Sequence, residues 1–223
     1  MRIKKFVPIL LLVFLNSCSS LPDNVASNFQ IAYNSIQAAI FGFEDYPITK
    51  ELVNQIPYAS MRVKIGKGPA GLLILESKNK KFKKWTSADG VSLIENNGQI
   101  IRTEGLINNV TNIRFLSEIS FLRKTKLESH LISEYFLSLD NPEVFELKLV
   151  IKIENEGFEV INILDKQYSL MHITEEKENK YLRWKSKDHY WVDPEDGFVW
   201  KSIQNIAPNL PSILIEVTKK PAI

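Results

Sequence analysis

The densest group of ionisable side chains in the sequence runs from Asp188 through His189, Asp193 and Glu195 to Asp196. Carboxylates and an imidazole this close together suit either a cation held by oxygen ligands or general acid–base work. The same stretch also has a plainer reading. Asp193-Pro194-Glu195-Asp196-Gly197 puts Pro early and Gly last between two aromatic segments, which is hairpin-turn chemistry. His130 and His172 lie far from His189 and from each other, so all three histidines read as surface or pairing residues. No G-x-S-x-G, P-loop or H-E-x-x-H spacing occurs, and the reading includes no catalytic residue, no metal and no cofactor. Aromatic rings are the other candidates. Three of the 4 Trp fall within Trp184 to Trp200. Rings of this kind stack on sugars, or they fill a core, where each hides about 150–250 Å². Because side chains alternate across a strand, one ring set must face outward. Trp191, Trp200, Tyr190 and Trp184 are therefore the candidate recognition surface.

The single Cys of the chain is Cys18, and its setting is specific. Met1 to Lys5 is a basic head, Phe6 to Leu15 is a ten-residue apolar run, and Leu15-Asn16-Ser17-Cys18 closes it with small residues. The run is too short for a membrane span, which needs about 20 residues, but suits a signal-peptide core. This predicts a lipoprotein signal over residues 1–17 and lipid attachment at Cys18, with each buried CH₂ of the lipid contributing about 0.8 kcal/mol to anchorage. Ser19, rather than Asp, follows the cysteine; by resemblance to bacterial lipoproteins this implies sorting to the outer membrane, with the domain facing the periplasm. Taking Arg2, Lys4 and Lys5 from the 28 basic residues leaves 25 against 26 acidic ones, a mature charge of −1. No basic footprint for nucleic acid remains.

The elements that must position these residues follow from periodicity. Residues 18–28 are polar and read as a tether, and 29–223 as a single mostly β domain. Phe29, Ala32, Tyr33, Ile36, Ile40 and Phe43 recur at helical spacing, so 29–43 is expected to be an amphipathic helix, and Ile48 to Ile56 a second short one stopped by Pro57. From Tyr58 onward the period becomes two. Strands are expected around Met61–Ile65, Leu72–Leu75, Val91–Glu95 and Ile100–Thr103, the last two flanking an Asn96-Asn97-Gly98 hairpin turn. Phe145, Leu147, Leu149, Ile151 and Ile153 should form a dry face. Further strands follow at Glu159–Leu164, Tyr168–Thr174, Tyr181–Lys185, His189–Asp193, Phe198–Ile203 and Ile213–Thr218. Residues 108–133 read as a long loop with a helical turn around Ile113 to Phe121. About ten or more short strands imply an antiparallel β-barrel or sandwich with a short N-terminal helical segment.

Several of these segments carry a resemblance. Tyr58-Ala59-Ser60-Met61-Arg62-Val63, Gly66 to Leu75, Trp85 to Val91 and Gly98 to Leu106 are similar to the N-terminal half of the YjbF / GfcB lipoprotein family. Tyr190-Trp191-Val192-Asp193-Pro194-Glu195-Asp196-Gly197-Phe198-Val199-Trp200-Lys201-Ser202, followed by Ala207-Pro208-Asn209-Leu210-Pro211, resembles its C-terminal signature. The resemblance implies an outer-membrane lipoprotein of exopolysaccharide or group 4 capsule production, mostly β, with no established catalytic activity. Its expected partners are the membrane, through the N-terminal lipid, and a polysaccharide or capsule-secretion proteins. Two other functions fit the residues. A glycan-modifying hydrolase would use the Asp188 to Asp196 cluster and needs carboxylates converging in a cleft. A lipid or lipoprotein carrier needs an unfilled apolar cavity.

Overall fold

The computed structural model describes residues 45, 47–79 and 81–222. The signal, the lipid site at Cys18, the tether and the helix expected over 29–43 lie outside the described residues.

Helix α1 (Lys50–Gln55) is capped by Thr49, whose hydroxyl accepts from Leu52 N, and it ends at Ile56 before Pro57. Twelve strands follow in the sequence β1 (Ser60–Ile65), β2 (Ala70–Lys78), β3 (Phe82–Ser87), β4 (Ser92–Asn96), β5 (Gln99–Glu104), β6 (Val110–Phe115), β7 (Leu131–Asp140), β8 (Glu143–Ile163), β9 (Lys166–Asn179), β10 (Trp184–Val192), β11 (Val199–Gln204) and β12 (Ile213–Lys219). A four-residue helix, α2 (Phe121–Lys124), sits in the β6–β7 connection. Every pairing is antiparallel, and apart from β5 and β6 each strand pairs with its neighbours in sequence. The sheet is closed by β1 against β12, with Val63 opposite Ile215. The single joint without a backbone ladder lies between β5 and β6. Side chains bridge it: Thr103 Oγ1 accepts from Val110 N at 2.9 Å and donates to Asn109 Oδ1 at 3.3 Å. The result is a nearly closed up-and-down barrel, which settles the choice between barrel and sandwich.

In such a meander successive turns alternate between the two ends. The β4–β5, β6–β7, β8–β9 and β10–β11 connections therefore share one mouth. The hairpin expected at Asn96-Asn97-Gly98 is present and closes more tightly, as a two-residue turn, with Asn96 opposite Gln99 and with Asn97 and Gly98 at φ +50° and +91°. The interior is packed by Met61, Trp85, Leu93, Tyr135, Leu137, Leu149, Ile153 and Ile173, and burying an aliphatic side chain of this size contributes about 1.5–3 kcal/mol.

Four local expectations are corrected, and at each a bulge or a residue at positive φ interrupts the strand. Where a loop with a helical turn around Ile113 to Phe121 is expected, residues 110–115 form strand β6 and the helix is confined to 121–124; a bulge between Val110 and Asn112 spaces the buried Val110 and Ile113 three apart, which hides the period-two alternation. Phe145 leaves the dry face and is 84% exposed, because the register shifts between Leu137 and Leu139 and Glu146 takes φ +50°. Tyr181, expected in a strand, is 92% exposed in the turn before β10, where Arg183 has φ +52°. The two strands expected over 145–153 and 159–164 are one strand, β8, bent at a bulge between Asn155 and Gly157. Beyond that bulge the β8–β9 hairpin continues past the end of β7 and curls over the outside of the barrel: Ile161, Ile163 and Leu170 pack on Trp191.

Candidate functional site

Alternation along β10 and β11 separates the expected aromatic set. Tyr190, 1% exposed, points into the barrel, where its hydroxyl donates to Asp188 Oδ2 at 3.0 Å and its ring meets Phe121 at 4.7 Å. It is thereby removed from the candidate recognition surface. Trp191 points outward but is 7% exposed, since the curled β8–β9 hairpin covers it and Glu159 Oε2 accepts from its Nε1 at 2.8 Å. Trp200 falls in the bulge opposite Trp191/Val192 and lies against Tyr168, ring centroids 4.5 Å apart. Trp184 is half-buried at the start of β10, against the main core.

On the same outer face the structure joins two histidines that are distant in sequence. Pairing of β9 with β10 sets His172 opposite Trp191, and His172 Nε2 meets His189 Nδ1 at 3.0 Å. The His172 ring stacks on Trp191 at 4.9 Å and 2°, and its Nδ1 lies 3.3 Å from Glu159 Oε2. Burial holds the His172 pKa below its ordinary value, helped by His189 and opposed by Glu159. The signal in the sequence was parity: residues 172, 189 and 191 share the outward phase, but only the register brings them together.

The Asp188 to Asp196 cluster is dispersed. Asp188 is fully buried inside the barrel, paired with Lys177 Nζ and accepting from Asn205 N at 2.8 Å. Asp193 Oδ1 accepts from Glu195 N and Asp196 Oδ1 from Phe198 N, the turn roles expected of that segment. Among the described residues no group of three or more His, Cys, Asp or Glu is arranged to hold a metal.

In place of that cluster the barrel interior holds a polar network that the sequence did not announce. Lys124 of α2 reaches Glu175 Oε1 at 2.7 Å, and Gln99 Nε2 donates to both Glu175 oxygens at 3.1 and 3.0 Å. Gln204 accepts from Ile100 N at 3.0 Å and donates to Gly98 O and Ser202 Oγ, each at 2.9 Å. Burial opposes the Lys177 ammonium, but Asp188, Tyr135 and Glu175 around it together outweigh that and hold the Lys177 pKa above its ordinary value. Burial also pushes the Tyr135 hydroxyl up to about 12. Two cavities beside this network have volumes of about 10 Å³ each, room for about one water apiece and not for an acyl chain.

Phe121, Lys124 and the rest of α2 plug the shared mouth, and beside the plug lies a pocket of about 310 Å³. Its floor is apolar, with Phe121, Val199 and Val217; its rim carries the exposed Asn97 and Asp196. Two glycines let its walls converge. A Cβ on Gly98 would fall 2.5 Å from Val199 Cγ2, and one on Gly197 would fall 2.7 Å from Leu122 N.

The family described as "Group 4 capsule polysaccharide lipoprotein gfcB, YjbF" matches residues 33–218. The chain belongs to this family. Two relatives from Escherichia coli (strain K12) are similar to it along most of their length: "Uncharacterized lipoprotein GfcB", 22% identical over 94% of this chain and 95% of the relative, and "Uncharacterized lipoprotein YjbF", 18% identical over 84% of each. The crystal structure of the hypothetical lipoprotein YmcC from Escherichia coli (K12) superposes with a TM-score of 0.68 at 22% identity, covering 85% of this chain and 96% of that one. The likeness shows a shared fold. No described helix is long and apolar enough to cross a membrane.

Proposed function

We propose that this chain is acylated at Cys18, anchored in the outer membrane with its barrel in the periplasm, and assists secretion or assembly of a capsule or related exopolysaccharide by binding rather than by catalysis. The observation that carries the reading is the match of residues 33–218 to a capsule polysaccharide lipoprotein family, taken with the signal-and-cysteine pattern of residues 1–18. The dispersal of Asp188, Asp193 and Asp196 supports binding over hydrolysis, since hydrolysis of a glycan needs two carboxylates facing one bond. The packed interior, with its 10 Å³ cavities, gives no support to lipid carriage. The test is complementation of a deletion strain with the wild-type gene or with Cys18→Ser, measuring surface polysaccharide. Restoration by the wild type and not by the unanchored variant is expected; a deletion strain with unchanged surface polysaccharide refutes the reading.

A further inference from the structure

We propose that the pocket at the plugged mouth is a subsite for a neutral sugar unit. The inference rests on the capsule reading for its biological sense, but the geometry is independent of it. A pyranose ring presents two C–H faces, which are apolar, and an edge of hydroxyls, which donate and accept. A complementary site therefore needs an apolar wall, polar groups confined to one edge, and little net charge. The pocket has all three. Phe121, Val199 and Val217 make the wall, with the half-buried Phe198 beside them. The polar side consists of the Asn97 amide, which both donates and accepts, the Ser120 hydroxyl, and two carboxylates already neutralised. Glu95 Oε1 accepts from Lys83 Nζ at 3.0 Å, and Asp196 Oδ2 is paired with Lys220. An anionic ligand would have to displace one of these carboxylates, and a cation would have to displace a lysine.

Volume narrows the ligand further. At about 310 Å³ the pocket stands at the lower end of the roughly 300–1,000 Å³ spanned by small-molecule sites. It is bounded on three sides by the β4–β5 turn, α2 and the β10–β11 turn, so it admits a terminal or branch sugar and not a length of polymer. The glycines at 98 and 197 keep those turns in contact, and a side chain at either would push the walls apart.

The test uses the full mature lipoprotein in a detergent without a sugar headgroup, with saturation-transfer NMR against methyl β-glucopyranoside, methyl β-galactopyranoside, N-acetylglucosamine, glucuronate and inorganic phosphate. Transfer from the protein to at least one neutral sugar, at least tenfold weaker in Lys83→Met/Glu95→Gln and in Leu122→Trp, is expected. The double variant removes one charged pair from the polar edge, leaving no orphaned charge, and carries the test should Leu122→Trp misfold; thermal melting checks each. Lys152→Ala, on the outer face of β8, should bind as the wild type does. Transfer to none of the neutral sugars, transfer to glucuronate or phosphate alone, or binding unaffected by the pocket variants overturns the proposal. A deletion strain that loses its capsule while the wild-type protein binds no neutral sugar sinks the site and leaves the capsule reading standing. A deletion strain with normal capsule, alongside sugar binding that follows the pocket variants, sinks the capsule reading and supports the site.

Discussion

Replacing Lys124 by Met removes one partner of a buried ion pair while keeping much of the side chain's length. The pair is sealed: the side chains of Lys124 and Glu175 are 3% and 1% exposed, and 2.7 Å separates Nζ from Oε1. In Lys124→Met, Glu175 keeps only the two Gln99 contacts for a full charge in the barrel interior. Removing one partner of such a pair costs about 3–5 kcal/mol, mostly because the other charge is left buried and uncompensated. For a folded unit of this size, 1 kcal/mol corresponds to roughly 2–4 °C, so a fall of about 6–20 °C in melting temperature follows. Lys124→Met/Glu175→Gln removes both charges and should recover a large part of the loss, because no ion is then stranded. Urea unfolding of wild type, both singles and the double gives the coupling energy. A Lys124→Met cost below about 1 kcal/mol, or a double variant no better than the worse single, would refute the view that this pair fastens α2 into the mouth.

Four further outcomes are expected. Cys18→Ser should leave an unprocessed or soluble form in place of the membrane-bound protein, read by fractionation and mass; processed protein still in the membrane fraction counts against lipidation. Tyr135 binds its proton more tightly folded, at about 12, than unfolded, near 10, so its contribution is whole below pH 10 and disappears between pH 10 and 12. Lys177, also raised, acts in the same direction, so urea midpoints should fall through that window, by about 2–3 kcal/mol from Tyr135 alone; flat midpoints contradict the burial argument. Gly98→Ala combines φ +91° with a Cβ 2.5 Å from Val199 Cγ2 and 2.6 Å from Val199 Cβ, so it should cost more than the 1–3 kcal/mol typical of backbone strain alone, and Val199→Ala in the same chain, which keeps the Cβ contact, should recover little of the loss in urea unfolding. Trp191→Ala should cost about 3–5 kcal/mol and lower abundance, since the ring is buried under the β8–β9 hairpin; an unchanged melting temperature would mean that the hairpin is not seated there.

How much of this was legible depended on whether the signal was local. The hairpin at Asn97-Gly98 was visible because the turn chemistry and both flanking alternations lie within a dozen residues. The turn at Asp193 to Gly197 was visible for the same reason. Strand β6 was hidden inside a stretch that reads as a loop, because a bulge puts its buried Val110 and Ile113 three apart and leaves no period-two alternation to see. The outward or inward sense of Tyr190 and Trp191 was undetermined from sequence, since alternation gives relative phase and only the core gives its sign. The internal network was invisible in principle: Lys124, Glu175, Lys177 and Asp188 look like ordinary solvated charges until α2, β9 and β10 are brought to one interior. His172 and His189 met for a related reason, through a register that no local pattern encodes.

The seam between β5 and β6 divides the barrel into two meanders, β1–β5 and β6–β12, each built from neighbours in sequence and joined by the single ladder of β1 on β12. Local hairpins form early, and remote pairings wait for loop-closure entropy to be met. Closure of β1 on β12 is thus a late event. As the chain emerges from its N-terminus, β1 can pair with β2 at once, but its other edge has no partner until Ile213 to Lys219 arrives. For all of that interval an apolar-backed strand is open to any passing edge, which is the usual route to misassembly. Strand β12 is therefore the clasp of the fold, and a truncation that spares the network but removes β12 would leave a half-made sheet instead of a shortened barrel.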